Sequence, residues 1–219
     1  MSPDPARTPP EALQLLDWRE RTHELYRAVR AHGEPAVAHA LWREGRNHMF
    51  AEHPASPLAP EHRSGFAGLP VAEYDERYRF EATLEPAEAA ALDVATGTDG
   101  TVSFARVGRV VLRLPDAQVS LDVWRLTSYG GGLFVPLRDG SGGQGTYGGG
   151  RYLIDTVKGA NLGGSPDRGM LVIDLNFAYN PSCAYDAAWA CPLAPPGNTT
   201  TAVITVGEQY VPPSPHLPH

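Results

Sequence analysis

The last third of the chain carries the polar residues whose types could do chemistry. Asp174 and Glu208 are carboxylates within otherwise apolar segments, and either could serve as a general acid or base beside a substrate. Tyr179, which lies between them in the chain, is a third catalytic candidate. A carboxylate buried in such a segment must be paired or must change its pKa. These three residues place the expected site in the C-terminal part of the chain.

Two arginines flank a glycine-rich stretch just before these residues. Arg138 and Arg151 stand on either side of residues 139–150, and a guanidinium group binds carboxylate or phosphate in a bidentate manner. We therefore expect the two arginines to hold the anionic group of a small-molecule ligand. The remaining residues expected to bind or orient that ligand are Asp139, Tyr147, Asn176, Asn180 and Cys183.

The same polar residues allow a second, non-enzymatic interpretation. Ion pairs at strand ends can hold a sheet together, and such pairs also perturb pKa values without any functional role. In this interpretation the polar residues lock the strands. The N-terminal helices then pack on a partner or on a second copy of the chain through Trp18, Tyr26 and Trp42.

A glycine motif within the loop matches a dinucleotide-binding pattern only in its letters. Residues 143–148 read G-x-G-x-x-G, but that pattern binds a pyrophosphate only where a helix follows the glycines. Residues 151–155, Arg-Tyr-Leu-Ile-Asp, are typical of a strand instead. We therefore expect a hairpin connection with positive-φ glycines, and the sequence predicts no cofactor.

The two cysteines, Cys183 and Cys191, are eight residues apart, which is neither a redox nor a zinc C-x-x-C spacing. They could be buried small side chains, a disulfide, or metal ligands with His48 or His53. A nucleophilic cysteine needs a base, and the C-terminal half offers no histidine before His216. The preferred prediction has no metal, and a metal site with Cys183, Cys191 and His53 is the weaker alternative.

The hydrophobic pattern predicts which elements position these residues. Period 3.6 indicates helices over 11–31 and 35–50, and period two from Tyr78 onward indicates strands. We expect a mainly β fold, an antiparallel barrel or sandwich of about seven strands, behind two N-terminal α-helices. The predicted strands are 78–84, 101–114, 118–127, 133–137, 150–157, 169–176 and 200–210. The predicted regions are a disordered leader (1–10), a helical appendage (11–52), an extended connector (53–77), the β domain (78–211) and a disordered tail (212–219).

Charge and hydropathy exclude several classes of function. The net charge of −7 and the absence of a basic stripe argue against nucleic-acid binding. No apolar run approaches the roughly 20 residues of a membrane span, and the first residues lack the apolar core of a signal peptide. We therefore expect a cytoplasmic protein that does not bind membranes and that could form a homodimer through its N-terminal helices.

Several motifs resemble one known family of bacterial and archaeal proteins. The matching stretches are Phe134-Val-Pro-Leu-Arg-Asp139, Thr146-Tyr-Gly-Gly-Gly-Arg-Tyr-Leu153, Asp174-Leu-Asn-Phe-Ala-Tyr-Asn-Pro-Ser-Cys-Ala-Tyr185, Cys191-Pro-Leu193 and Gly207-Glu208. They resemble the short branch of the domain-of-unknown-function family numbered sixteen eighty-four. The resemblance covers most of residues 40–210. It supplies no activity, and it implies that these motifs form one unit.

Overall fold

The computed structural model describes residues 8–96, 100–186 and 189–210. Within these ranges the chain forms two long helices, one short helix and eight strands in two antiparallel sheets. The predicted tail at 212–219 and most of the predicted leader at 1–10 lie outside the described residues. The mainly β prediction with two N-terminal helices is confirmed. The sheets do not close into a barrel, so the sandwich alternative is the correct one.

The two long helices begin at prolines and pack against each other. Helix α1 spans Pro9–Ala31 and α2 spans Pro35–Glu52. Proline suits the first position of a helix, because the backbone N–H that it lacks would have no acceptor within the helix. The Thr8 backbone N–H donates to the Glu11 side chain at 2.7 Å, which satisfies a free donor at the start of α1. A third helix, α3, is a single turn at Pro60–Arg63.

The strands form one five-stranded and one three-stranded sheet. The larger sheet has the order β2-β3-β4-β5-β6 and the smaller has the order β1-β8-β7. Their bounds are β1 Arg79–Thr83, β2 Ala91–Thr96, β3 Gly100–Arg113, β4 Gln118–Leu126, β5 Leu133–Leu137, β6 Arg151–Asp155, β7 Gly164–Ser165 and β8 Met170–Asp174.

The five-stranded sheet buries both of its faces. Because side chains alternate along a strand, Val135 and Leu153 point into the core between the two sheets, whereas Phe134 and Tyr152 point to the opposite face. That opposite face packs against Trp42 and the rest of the two helices. The helices are therefore a third layer over the larger sheet, and both hydrophobic cores depend on this sheet.

One predicted strand is wrong, and two strands were missed. Within the described residues, 200–210 forms no strand and makes only a single bridge, from Glu208 to Val71. Its alternate burial is real, since Ile204, Val206 and Glu208 are buried. The alternation arises because this extended segment covers the sandwich and not because it pairs in a ladder. The missed strands are the exposed edge strand β2 and the two-residue β7.

Candidate functional site

Arg151 starts β6 at the centre of the protein and has no exposed surface. Its Nη2 donates to Asp139 Oδ2 at 2.9 Å and to the Ile204 carbonyl at 3.1 Å. Its Nη1 donates to the carbonyls of Val206, at 2.6 Å, and Glu208, at 3.2 Å. The guanidinium group therefore ties the loop before β6 to the C-terminal segment, and water does not reach it.

The surroundings of Asp139 keep its carboxylate ionised beside Arg151. Its carboxylate also accepts hydrogen bonds from the Ser141 hydroxyl and backbone N–H and, at 2.9 Å, from the Thr146 hydroxyl. Burial alone raises the pKa of Asp139, but the Arg151 charge and these hydrogen bonds outweigh it and hold the pKa below its usual value. This Arg151–Asp139 pair keeps both charges and is satisfied almost entirely from within the protein.

Glu208 forms a second buried pair with an arginine that the sequence prediction missed. Arg46, on α2, donates from Nη2 to Glu208 Oε2 at 2.7 Å. Asn180 donates to the same carboxylate from its backbone N–H and from Nδ2, each at 3.2 Å. Burial raises the pKa of Glu208, and the Arg46 charge only partly opposes that shift. We call this arrangement the Arg46–Glu208 pair.

The role of Arg46 could have been recognised from its position within α2. It lies four residues after Trp42 and four before Phe50, so all three side chains share one face of α2. Its guanidinium carbon is 5.1 Å from the ring centres of both residues and 5.0 Å from that of Tyr179. A single cation within an apolar helix face needs a partner, and this rule applied to α2 would have identified Arg46.

Glycines with positive φ direct the side chains of Arg151 and Glu208 into the protein. Gly150 precedes Arg151 with a φ of 91°, and Gly207 precedes Glu208 with a φ of 79°. A Cβ on Gly207 would lie 2.7 Å from the Leu175 carbonyl oxygen, closer than real contacts allow. Side chains are therefore excluded at this turn, and the chain turns there so that Glu208 points inward.

Asp174 and Asn176 form a separate polar group at the end of β8. Asp174 accepts hydrogen bonds from the Asn176 backbone N–H at 3.0 Å and from its Nδ2 at 2.7 Å. The Tyr74 hydroxyl and Arg79 Nη1 are each 3.4 Å away from the carboxylate. Burial raises the pKa of Asp174. Asn176 also exchanges two hydrogen bonds of 2.8 Å with the backbone of Asp75, so this group connects β8 to the connector before β1.

The remaining predicted residues fall into different surroundings. Arg138 is exposed, and the structure does not bring it to Arg151. The Tyr147 hydroxyl lies 3.5 Å from the Cys183 carbonyl oxygen. Tyr179 is buried beside Arg46, and burial raises its pKa well above the ordinary value, so its hydroxyl stays protonated. The structure thus brings Glu208, Tyr179 and Asn180 together and leaves Asp174 and Arg138 apart.

A cavity lies between the two N-terminal helices and the five-stranded sheet, beside the Arg46–Glu208 pair. Its empty space is about 590 Å³ when the open solvent at its mouth is included, and the centre of a water molecule can occupy about 60 Å³. Aromatic rings supply much of its wall. Its other polar lining residues come from both helices, from the segment after β6 and from the segment after Tyr179. The principal lining residues of this helix–sheet cavity are Trp18, Tyr26, Arg46, Tyr152, Tyr179 and Asn180.

Two buried polar atoms of the cavity wall have no partner among the described residues. They are Asn180 Oδ1 and Arg46 Nε. The orientation of the Asn180 amide is fixed, because Nδ2 faces two acceptors, Glu208 Oε1 and the Gln209 carbonyl at 3.0 Å. Oδ1 is therefore an acceptor without a donor, and a buried group in that state costs about 1–3 kcal/mol. Because Oδ1 itself has no exposed surface, a ligand in the cavity would reach it and remove this cost only after the neighbouring side chains shift.

The structure contradicts the predicted partner contacts of Tyr26 and Trp42 and the predicted metal site, whereas the partner contact of Trp18 and the homodimer stay predictions. Tyr26 and Trp42 are buried inside the chain, where Trp42 Nε1 donates to the Tyr26 hydroxyl at 3.1 Å, so they cannot pack on a partner. His53 hydrogen-bonds to Asp17 at 2.9 Å. In the part of the chain that the structure describes, no group of three or more His, Cys, Asp or Glu side chains is placed to hold a metal ion. The metal site with Cys183, Cys191 and His53 is therefore wrong.

The fold and the cavity define a three-layer protein, in which two helices cover a β sandwich and enclose a small, aromatic-walled space. Residues 64–209 match the family described as "Protein of unknown function (DUF1684)". This chain belongs to that family. None of the described helices is long and apolar enough to cross a membrane.

One solved structure extends this relationship. The solution NMR structure of the uncharacterized protein from gene locus rrnAC0354 of Haloarcula marismortui is 34% identical to this chain, with a TM-score of 0.55. The similarity covers 76% of this chain and 89% of that one. No curated protein matches the chain. The comparisons therefore supply the family and a related fold, and the chemistry has to be read from the site itself.

Proposed function

We propose that the protein binds a small, flat, polar organic molecule in the helix–sheet cavity. The observation that carries this proposal is the aromatic-walled cavity, whose lining residue Asn180 has a buried Oδ1 without a donor among the described residues. Binding cavities are typically apolar with a few polar groups that fix orientation, and the aromatic walls here match that description. A hydrogen-bond donor on the ligand would occupy Oδ1.

The charges around the cavity favour a ligand without a strong net charge. Arg46 is neutralised by Glu208, and Lys158 at the cavity wall is 3.5 Å from Asp155. Arg46 Nε has no acceptor among the described residues, so an uncharged acceptor such as a carbonyl oxygen would satisfy it once the neighbouring side chains shift. A primary amide on an aromatic ring offers both functions, with its N–H directed to Asn180 and its oxygen to Arg46.

Binding is favoured over catalysis by the state of Glu208. Oε2 accepts from Arg46 and the Asn180 N–H, while Oε1 accepts from Asn180 Nδ2. A general base must lie within reach of the substrate proton, and Glu208 has no exposed surface. Glu208 and Tyr179 then orient the cavity wall, and Asp174 stabilises the end of β8 from a separate position.

Three probes of equal shape and different charge test this proposal: benzamide, benzoate and benzamidine. We expect benzamide to bind most tightly, with a dissociation constant on the order of 1 mM for a ligand of this size. The readout is the chemical-shift change of the aromatic side chains around the cavity in NMR titrations. If benzoate binds most tightly, the ligand is anionic, as the sequence analysis expects. The proposal of a neutral ligand would then be wrong.

A blocking variant and a matched control localise the binding. Ser182 lines the cavity, so Ser182→Trp fills it, whereas Thr205 is exposed and Thr205→Trp adds the same side chain elsewhere. We expect Ser182→Trp to abolish the benzamide-induced shifts and Thr205→Trp to leave them unchanged. Equal binding by both variants, or shifts remote from Tyr152 and Tyr179 in the parent protein, would refute the proposal.

A structural role is the second candidate, and it concerns the Arg151–Asp139 pair. We infer that this pair locks the loop before β6 to the C-terminal segment, because Arg151 reaches three carbonyl oxygens there as well as Asp139. The two functions are compatible. The locked segment carries Glu208, so the pair also fixes one wall of the neighbouring site.

A further inference from the structure

Cys183 and Cys191 lie side by side, although eight residues separate them in the chain. The Cys183 backbone N–H donates to Cys191 Sγ at 3.4 Å, and the two thiol groups are also within hydrogen-bonding distance of each other. Both side chains are half-buried, and both are free thiols. The 3₁₀ turn at Ser182–Ala184 holds Cys183 in this position.

The groups around the two sulfur atoms distinguish one cysteine from the other. A hydrogen bond from the Cys183 thiol, together with the Cys183 N–H and the charge of Lys158, lowers the pKa of Cys191 to about 6. The same thiol–thiol bond and burial raise the pKa of Cys183, whose Sγ lies 3.7 Å from the Tyr147 hydroxyl. Cys183 therefore holds its proton more tightly, and Cys191 releases its proton more readily.

We propose that Cys191 and Cys183 form a peroxide-reactive pair, in which Cys191 attacks a hydroperoxide and Cys183 then closes a reversible disulfide. Two half-buried thiols in contact favour this function over a merely space-filling role, because inert structural cysteines are buried in apolar surroundings. The geometry also supplies the resolving thiol directly beside the attacking one. The pair does not depend on ligand binding in the helix–sheet cavity.

Each step balances in atoms and electrons. The Cys191 thiolate forms an S–O bond to the hydroperoxide, whose O–O bond breaks, and the leaving oxygen takes a proton from solvent as water or alcohol. Cys191 is then a sulfenic acid, and its sulfur has been oxidised by two electrons. Cys183 attacks that sulfur, the S–S bond forms, and the hydroxyl leaves as water with the proton from Cys183. An external dithiol restores both thiols by exchange.

The test is oxidation by hydrogen peroxide at pH 6, followed by alkylation of the remaining thiols and mass spectrometry. We expect both thiols of the parent protein to disappear together, with a disulfide joining the peptides of Cys183 and Cys191. At pH 6 the reaction should be about tenfold faster than that of a short unstructured cysteine peptide, since a larger thiolate fraction outweighs the lower nucleophilicity of each thiolate.

Two serine variants separate the roles of the two thiols. In Cys183→Ser the sulfenic acid at Cys191 should persist and be trapped by dimedone. In Cys191→Ser the remaining Cys183 should react no faster than the unstructured peptide. Circular dichroism confirms that each variant is folded. Two results would overturn the proposal. One is a parent protein whose thiols can still be alkylated after peroxide treatment and form no disulfide. The other is a Cys191→Ser variant that reacts with peroxide as fast as the parent protein does.

Discussion

The protein contains two buried arginine–carboxylate pairs whose surroundings differ. Arg151 has no exposed surface, and its terminal nitrogens are all directed at Asp139 and three carbonyl oxygens. Arg46 keeps 12% of its side chain exposed and borders the helix–sheet cavity, where Asn180 Oδ1 lacks a donor. Each pair leaves the Nε of its arginine without a partner among the described residues, but the second pair also borders the cavity and contacts Asn180, whose Oδ1 lacks a donor.

The pKa shifts follow the same division. Hydrogen bonds and the Arg151 charge hold the pKa of Asp139 down in spite of burial, whereas burial dominates at Glu208 and raises its pKa. The charged form of a carboxylate is favoured where donors surround it and disfavoured where desolvation is not fully compensated. An arginine–carboxylate pair can therefore stabilise the fold in one place and border a binding site in another. The hydrogen-bond donors around the carboxylate distinguish the two cases.

The largest effect is expected on removing the arginine of the structural pair. Arg151→Met leaves the buried Asp139 charge and three carbonyl oxygens without their donor, so it should lower the free energy of unfolding by about 3–5 kcal/mol. Urea denaturation measures this loss. The matched control is Arg138→Met on the exposed neighbour, which should change stability by less than about 0.5 kcal/mol. Similar values for both variants would show that Arg151 does not lock the fold.

A backbone substitution tests how Glu208 is aimed. Gly207→Ala adds a Cβ that would lie 2.7 Å from the Leu175 carbonyl oxygen at a φ of 79°. Backbone strain and overpacking together should cost about 2–4 kcal/mol. Gly143 has a φ of 89° but nothing within 4 Å of its added Cβ, so Gly143→Ala should cost only about 1 kcal/mol. If thermal unfolding shows equal losses of stability for the two variants, backbone strain alone would explain both losses. The close contact with Leu175 would then contribute nothing.

The pH dependence of stability should have opposite signs for the two carboxylates. Since the folded pKa of Glu208 is raised, the protein gains stability through this group as the pH falls from neutral through that pKa towards the ordinary value of 4.5. The folded pKa of Asp139 is lowered, so its contribution is fully present above 3.8 and is lost as the pH falls through the folded pKa.

Two amide variants isolate these opposite slopes. The cost of Glu208→Gln relative to the parent protein should be larger near pH 4.5 than at neutral pH, because only the parent gains stability on acidification. The cost of Asp139→Asn should instead shrink below pH 3.8. Chemical denaturation across this pH range provides both curves. Parallel curves would mean that the two pairs do not differ electrostatically.

The sequence was sufficient for the local features of this architecture and not for its long-range ones. Hydrophobic periodicity predicted both helices and six of the strands, because that signal depends on neighbours along the chain. It failed at 200–210, where burial alternates without strand pairing, and at β2, a short edge strand whose alternating apolar signal is confined to Leu92 and Val94. Strand pairing is a property of two segments, and one segment alone does not show it.

The candidate site was predictable to the same extent. The motifs pointed to Glu208, Tyr179 and Asn180, which the structure brings together, but Arg46 comes from a helix 162 residues away in the chain. Arg138 and Arg151 are close in sequence, yet one is exposed and the other is fully buried. Residue type and proximity in the chain therefore identified the C-terminal wall of the cavity, while the tertiary fold decided which cation faces it.

The smallest effect is expected at Lys158, the second cation of the cavity wall. Its side chain is 42% exposed and lies 3.5 Å from Asp155, and such pairs contribute about 0–1 kcal/mol. Lys158→Met should therefore leave the free energy of unfolding within about 1 kcal/mol of the parent value, in contrast to Arg151→Met. The same substitution removes a charge that lowers the pKa of Cys191, so the pH profile of Cys191 alkylation should move to higher pH. A large loss of stability with an unchanged alkylation profile would place Lys158 with the structural pair, because the cation would then support the fold and not the thiol.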